Sequence, residues 1–167
     1  MLTNVKEELN RFAKYVISQS RANLTRGKKN SSKELYNSLD SNVKVSENSF
    51  ELTFLMEDYG VFQDKGVSGV KKKYNTKYSY TTKMPPPSKM DKWIVKKGIA
   101  PRDKNGKFIS RKSLQFMIAR SIFNNGIKPS LFFTKPFEKA FKNIDKDLIK
   151  AYKLDIETLM NNSINNK

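Results

Sequence analysis

The chain has 167 residues, 37% hydrophobic and 29% charged, with 33 Lys+Arg against 16 Asp+Glu for a net charge of +17, and it contains neither cysteine nor histidine. Without cysteine there are no disulfides, thiolate metal sites or cysteine nucleophiles, and without histidine there is no Ser-His-Asp triad, no His-containing zinc site and no imidazole base. The length predicts one globular domain with room for an insertion, and the charge points to polyanions or acidic protein surfaces as partners.

Met1-Leu2-Thr3-Asn4-Val5-Lys6-Glu7-Glu8 lacks the apolar core of a signal peptide. No apolar run approaches the ~20 residues of a membrane span, so no membrane partner is expected. Residues 2–24 place Leu2, Val5, Leu9, Phe12, Ala13, Val16 and Ile17 at spacings of three and four, which predicts a helix with one buried face. A polar break from Asn23 to Ser32 follows, and Ser31 with Glu34 offers a capping box for a short helix over 33–39. Asn42–Ser46 and Ser49–Glu57 alternate, with Val43 and Val45 on one face and Phe50, Leu52, Phe54 and Met56 on another. With Glu47-Asn48 as the turn, they predict an antiparallel hairpin. Asp58–Gly66 reads as a short helix stopped by Gly66, with Tyr59, Val61 and Phe62 available to pack beneath the hairpin.

Val67–Lys83 reads as an exposed loop in which Lys77–Thr82 can pair as a strand. Met84-Pro85-Pro86-Pro87 is a stiff extended stretch. Ser88 then caps a helix over 89–97, with Met90, Trp93 and Ile94 inward and Gly98 as its stop. Residues 100–108 form a hairpin-like tip. Ser110 caps a helix over 111–124 whose apolar face is Leu114, Met117, Ile118, Ser121 and Ile122. Ile127–Phe133 is a third strand or a strap across the core. Thr134 caps a final helix that carries Phe137 through Leu159, reaches about residue 160 and ends in a frayed tail. The fold class expected is α+β: a small antiparallel sheet packed against N-terminal and C-terminal helices, with a mostly helical insertion. Residues 1–66 and 129–167 make the core domain, and 67–128 make the insertion.

No P-loop, GxGxxG or GxSxG motif is present, and the acidic residues are scattered, so neither an enzyme activity nor a cofactor or metal is expected. The basic signal is stronger. Lys71, Lys72, Lys73, Tyr74, Lys77 and Tyr78 interleave cations with aromatic rings, and Arg102, Lys104 and Lys107 form a second group. These are candidates for contact with DNA phosphates and bases or with an acidic protein, and a solvated loop is the remaining alternative. A third group is Arg21, Arg26, Lys28, Lys29 and Lys33, so the charge reads as spread along the chain. Trp93, Phe132 and Phe133 are candidates for the core or for a subunit interface.

The order of elements, together with three short segments, resembles the tail-completion (neck) proteins of tailed bacteriophages. Gly27 followed by Leu35-Tyr36-Asn37-Ser38-Leu39 is similar to that family's Gly-x-Leu-x-x-Ser, with the glycine further away. Tyr59-Gly60-Val61-Phe62-Gln63-Asp64-Lys65-Gly66 is similar to Tyr-Ala-x-x-x-Glu-x-Gly, with Asp64 in place of glutamate. Pro129-Ser130-Leu131-Phe132-Phe133 with Pro136-Phe137 is similar to Pro-x-x-Phe-Phe-x-x-Pro. Met84–Pro87 with Trp93-Ile94 resembles the insertion of some members, although 67–128 is long and unusually basic. The resemblance implies a non-enzymatic virion subunit made in the host cytoplasm. It would assemble as a homo-oligomeric ring with other neck, portal or tail proteins and complete the DNA channel at the head–tail junction. A non-specific nucleic-acid-binding protein using the Lys/Tyr loop is the alternative.

Overall fold

A computed structural model of the chain describes residues 2–46 and 49–165. The fold is α+β, and the chain divides into two compact units, 1–27 with 34–57 and 132–167, and 28–33 with 58–131. Residues 58–66 and 129–131 therefore belong with the insertion rather than with the helices and hairpin. Among the described residues no helix is long and apolar enough to cross a membrane.

The first unit is built on α1 (Thr3–Arg26), α2 (Glu34–Ser38), the strands β1 (Asp40–Val45) and β2 (Phe50–Leu55), and α6 (Thr134–Asn165). The spacing of three and four in α1 buries Val5, Leu9, Phe12, Val16 and Ile17 as expected, and the helix runs on through the polar break to Arg26, which buries Leu24. The hairpin pairs Val43 with Leu52 and Ser41 with Phe54 in antiparallel register. Its turn at Glu47-Asn48 lies outside the described residues. Leu52 and Phe54 are half-buried against Phe12, Val16 and Ile144, which joins the sheet to both long helices. Phe12, Phe54, Phe133 and Phe137 form an aromatic cluster with centroids 5.1–6.3 Å apart, mostly edge-to-face. Each such pair adds about 0.5–1.5 kcal/mol beyond the area it buries.

Two polar contacts fasten this unit. Arg21 donates from Nε to the Tyr36 carbonyl (3.1 Å) and from its guanidinium to the Leu39 carbonyl (2.9 Å), and lies 5.3 Å from the Tyr36 ring centre. This cation therefore ties α1 to the end of α2 instead of facing a partner. Asp155 of α6 is buried and accepts from the Asn4 N–H (3.0 Å), the Asn4 amide (2.8 Å) and the Val5 N–H (3.0 Å). Leu2, at the N-cap position of α1, has no side-chain cap, so Asp155 does the capping from the far end of the chain. Burial opposes its charge, but the hydrogen bonds from Asn4, Val5 and Thr3 outweigh that and hold its carboxyl below the usual carboxylate range.

Several expectations for this unit change. Lys33 has φ 59° directly before α2, a left-handed conformation outside the helix, so a capping box started by Ser31 does not form. The final helix does not fray near 160 but continues to Asn165.

The second unit contains α3 (Tyr59–Lys65), a 3-10 turn (Pro87–Met90), α4 (Asp91–Lys96) and α5 (Arg111–Asn125). Gly66 ends α3 at φ 75°, as expected, but Tyr59, Val61 and Phe62 stay exposed and do not join a core. Ser88 sits inside the 3-10 turn rather than capping a helix. In α4, only six residues long, Ile94 takes the buried position and Trp93 faces out, 42% exposed. In α5 the buried side is turned towards Leu114 and Ala119, which leaves Met117 exposed. Ser110 caps α5 by accepting from the Ser113 N–H (3.1 Å). The strap is no third strand: only Ile127 makes a β-bridge, to Val67. Further along, Ser130 bonds the Gln63 carbonyl and the Leu131 N–H the Asp64 carbonyl, both on α3, and the Phe132 carbonyl accepts from the Asn23 amide of α1 at 3.1 Å.

Candidate partner-binding surface

The positive charge is not spread evenly. Residues 28–33 and 58–131 hold twenty Lys+Arg against four Asp+Glu, a net +16, and the rest of the chain carries +1. The basic candidate surface therefore belongs to the second unit.

Lys71, Lys72, Lys73, Tyr74, Lys77 and Tyr78 lie on one loop, and its order comes from backbone contacts. The N–H groups of Val70, Lys71 and Lys72 donate to the Phe123 and Asn124 carbonyls at 2.9–3.2 Å. Those are carbonyls that the last turn of α5 leaves unpaired, so the lysine run also meets the negative end of the helix dipole. Such a close approach needs glycine. A Cβ on Gly69 or Gly126 would collide with backbone of the facing segment, and Gly126 also has φ 72°. Beyond this point the chain wraps around Ser68, which is buried. Its backbone bonds Tyr78 and Tyr80, each at 2.8 Å, and its hydroxyl bonds both the N–H (2.9 Å) and the carbonyl (3.1 Å) of Tyr74.

Three of the cations are engaged within the loop. Lys73 donates to the Gly69 carbonyl at 2.9 Å, Lys72 lies 5.7 Å from the Tyr74 ring centre and Lys77 lies 5.2 Å from that of Tyr78. All four lysines keep exposed side chains. Lys77 also borders a cleft of about 590 Å³ whose wall includes Tyr59, Phe62, Tyr78 and Tyr80. The Phe62 and Tyr78 rings meet edge-to-face at 4.8 Å, and burial raises the Tyr80 phenol. Gln63 also lines this cleft, and its side-chain nitrogen is buried without a hydrogen-bond partner.

Arg102, Lys104 and Lys107 sit on the expected hairpin-like tip, closed by the Asp103 N–H to Lys107 carbonyl bond (2.8 Å) and by Asp103 accepting from Asn105 and Lys107. Arg102 is largely consumed there, bonded to the Gly106 carbonyl (2.7 Å) and 3.8 Å from the Phe108 ring centre. The tip leads into the N-terminus of α5, whereas the Lys71–Tyr78 loop is anchored at its C-terminus. The helix spans fifteen residues, so the two basic groups are separated by roughly 20 Å along it and do not merge into one cluster.

The three aromatic candidates separate. Phe132 is 1% exposed, packed among Ile17, Leu24, Leu35 and Leu39, and Phe133 is half-buried in the aromatic cluster, so Phe132 is unavailable as an interface anchor. Only Trp93 presents its ring. Sequence reasoning missed Ser68, Gln63 and the part played by Tyr59 and Phe62 in the cleft. The one local signal was Gly66 and Gly69 bracketing a serine. Among the described residues, no three acidic side chains converge to hold a metal ion. Compared with protein-family models, curated proteins and solved structures, the chain matches none of them.

Proposed function

We propose that this chain is a structural, non-enzymatic subunit of the neck of a tailed bacteriophage, joining a ring that completes the DNA channel between head and tail. The reading rests on the resemblance of three segments, and one observation supports it above the rest. Two of those segments, far apart in sequence, bind each other. The Ser130 N–H and hydroxyl both donate to the Gln63 carbonyl, the Leu131 N–H donates to the Asp64 carbonyl at 3.0 Å, and Gly66 is packed so tightly that a Cβ would stand 2.6 Å from Pro129. The test is to mix the purified chain with purified portal assemblies and with tails and image the product. Rings seated on either one support the reading, and chains that join neither overturn it.

A second reading has its own observation. The aromatic cleft lined by Lys77, on the loop that also carries Lys71, Lys72 and Lys73, combines a phosphate-binding cation with faces on which bases can stack, without a motif that reads sequence. It predicts DNA binding whose logarithm falls linearly with the logarithm of salt concentration. Absence of binding at low salt removes it and leaves an acidic protein neighbour as the object of the charge.

A further inference from the structure

We propose that an uncovered apolar stripe on α6 is a contact for a second copy of this chain, α6 against α6 in antiparallel orientation. The helix has 32 residues, and only part of its apolar arc is used by the unit's own core. Ile144, Ala151 and Asp155 are buried on the core side. Rotated about a quarter turn away are Ile149, Tyr152, Ile156 and Leu159, at spacings of three, four and three. Their exposure runs from 38% for Ile156 to 69% for Ile149, and Met160 beside them is 59% exposed. This 3-4-3 spacing is the seam by which one helix packs along another over two heptads. At its edge a groove of about 780 Å³ between Leu2, Val5, Phe50, Leu148, Ile149 and Tyr152 extends the apolar surface.

Charge and area identify the occupant. In a chain of +17, two copies repel each other across most pairs of faces, but the unit that carries this stripe has a net charge of only +1. Along the stripe's open flank run Lys146, Lys150 and Lys153, followed by Glu157. In an antiparallel pairing this flank meets its own counterpart and sets each copy's Glu157, which lies 3.9 Å from Lys153 of its own helix, opposite the other's lysines, whereas a parallel pairing sets it against the other flank. Covering the exposed parts of Phe50, Ile149, Tyr152, Ile156, Leu159 and Met160 on both copies removes roughly 1,000 Å² from water, about where specific contacts begin. The expected contact is accordingly a reversible, micromolar one. The inference does not rest on the neck reading, since a two-fold contact joins copies whether or not a ring is built.

The test is sedimentation equilibrium of the full chain across about 1–100 μM, a range that brackets a micromolar dissociation constant. A monomer–dimer equilibrium is expected. Ile149→Lys with Ile156→Lys weakens it at least tenfold with an unchanged circular dichroism spectrum, and Leu154→Lys, exposed on the opposite side of α6, leaves it unaltered. The chain has no cysteine, so single introduced thiols report orientation. Ile149→Cys and Leu159→Cys chains, mixed and oxidised, give a mixed disulfide dimer, and neither links to itself. A chain that is monomeric throughout, or association indifferent to the two lysines, overturns the contact. A Leu159→Cys chain that links to itself overturns its antiparallel sense.

Discussion

The two units are held together by different means. Among the described residues the helix-and-hairpin unit buries twelve apolar residues, eleven of them in three clusters around α1, whereas the second unit buries four, Val67, Ile94, Leu114 and Ala119. The second unit replaces that burial with backbone hydrogen bonds across Gly66, Gly69 and Gly126 and with a serine at the centre of its loop. It also carries almost all of the net positive charge. Apolar packing sets the first unit's order, and the second holds up a strongly basic surface on little core.

Substitutions can break this contrast, and the largest effect belongs to the first unit. Phe132→Ala removes a fully buried ring and is expected to destabilise that unit by about 3–5 kcal/mol. Trp93 is the chain's one tryptophan and lies in the second unit, so its fluorescence follows that unit, and circular dichroism, dominated by α1 and α6, follows the other. In urea the dichroism midpoint should fall sharply. A fluorescence midpoint that falls equally would show that the two units unfold as one.

Gly126→Ala should act on the other side. It forces a Cβ into the backbone of Val67 and Gly69 at a φ of 72°, a strain of about 1–3 kcal/mol. Hydrogen exchange should accelerate at residues 67–72 and remain slow in α1. Acceleration spread evenly over the chain would contradict a glycine-built second unit.

A smaller effect sharpens the account of the first unit. The Asp155 carboxyl is held below its ordinary range in the folded chain, so its contribution is complete above the unfolded carboxylate pKa of about 4 and is lost as pH falls through the lower folded value. Asp155→Asn should reduce stability near neutrality by about 1 kcal/mol, the usual scale of a lost helix cap, and flatten the acid limb of the denaturation curve. An acid limb of unchanged steepness would place that dependence on other carboxylates. The smallest expected effect is in binding. On the nucleic-acid reading, Lys77→Ala lowers DNA affinity modestly and reduces the salt slope by about one. A loss without any change in slope would point instead to its packing on Tyr78.

The first unit was largely legible in the sequence because its elements write themselves as periods. Val5, Leu9, Phe12 and Val16 announce a helix, and Leu52 and Phe54 announce a strand face. What stayed hidden was long-range and polar. Asp155 looks like one more surface acid until it is found capping the first turn of α1, bonded to Val5 150 residues earlier in the chain. Arg21 looks like part of a basic group until it is found on the carbonyls of Tyr36 and Leu39. In the second unit the lysine run was visible, but its attachment to the end of α5 was not, because backbone hydrogen bonds leave no side-chain pattern. Trp93 was misread for a related reason: a helix of six residues has too little periodicity to say which apolar side chain faces inward.

The central claim is that this chain is a building block of the head–tail junction, and a reconstruction of the assembled particle tests it most directly. The account predicts a ring of copies of this chain in the neck, with residues 58–131 turned towards DNA or an acidic neighbour. A neck built entirely from other chains, in a particle that lacks this one, would contradict it.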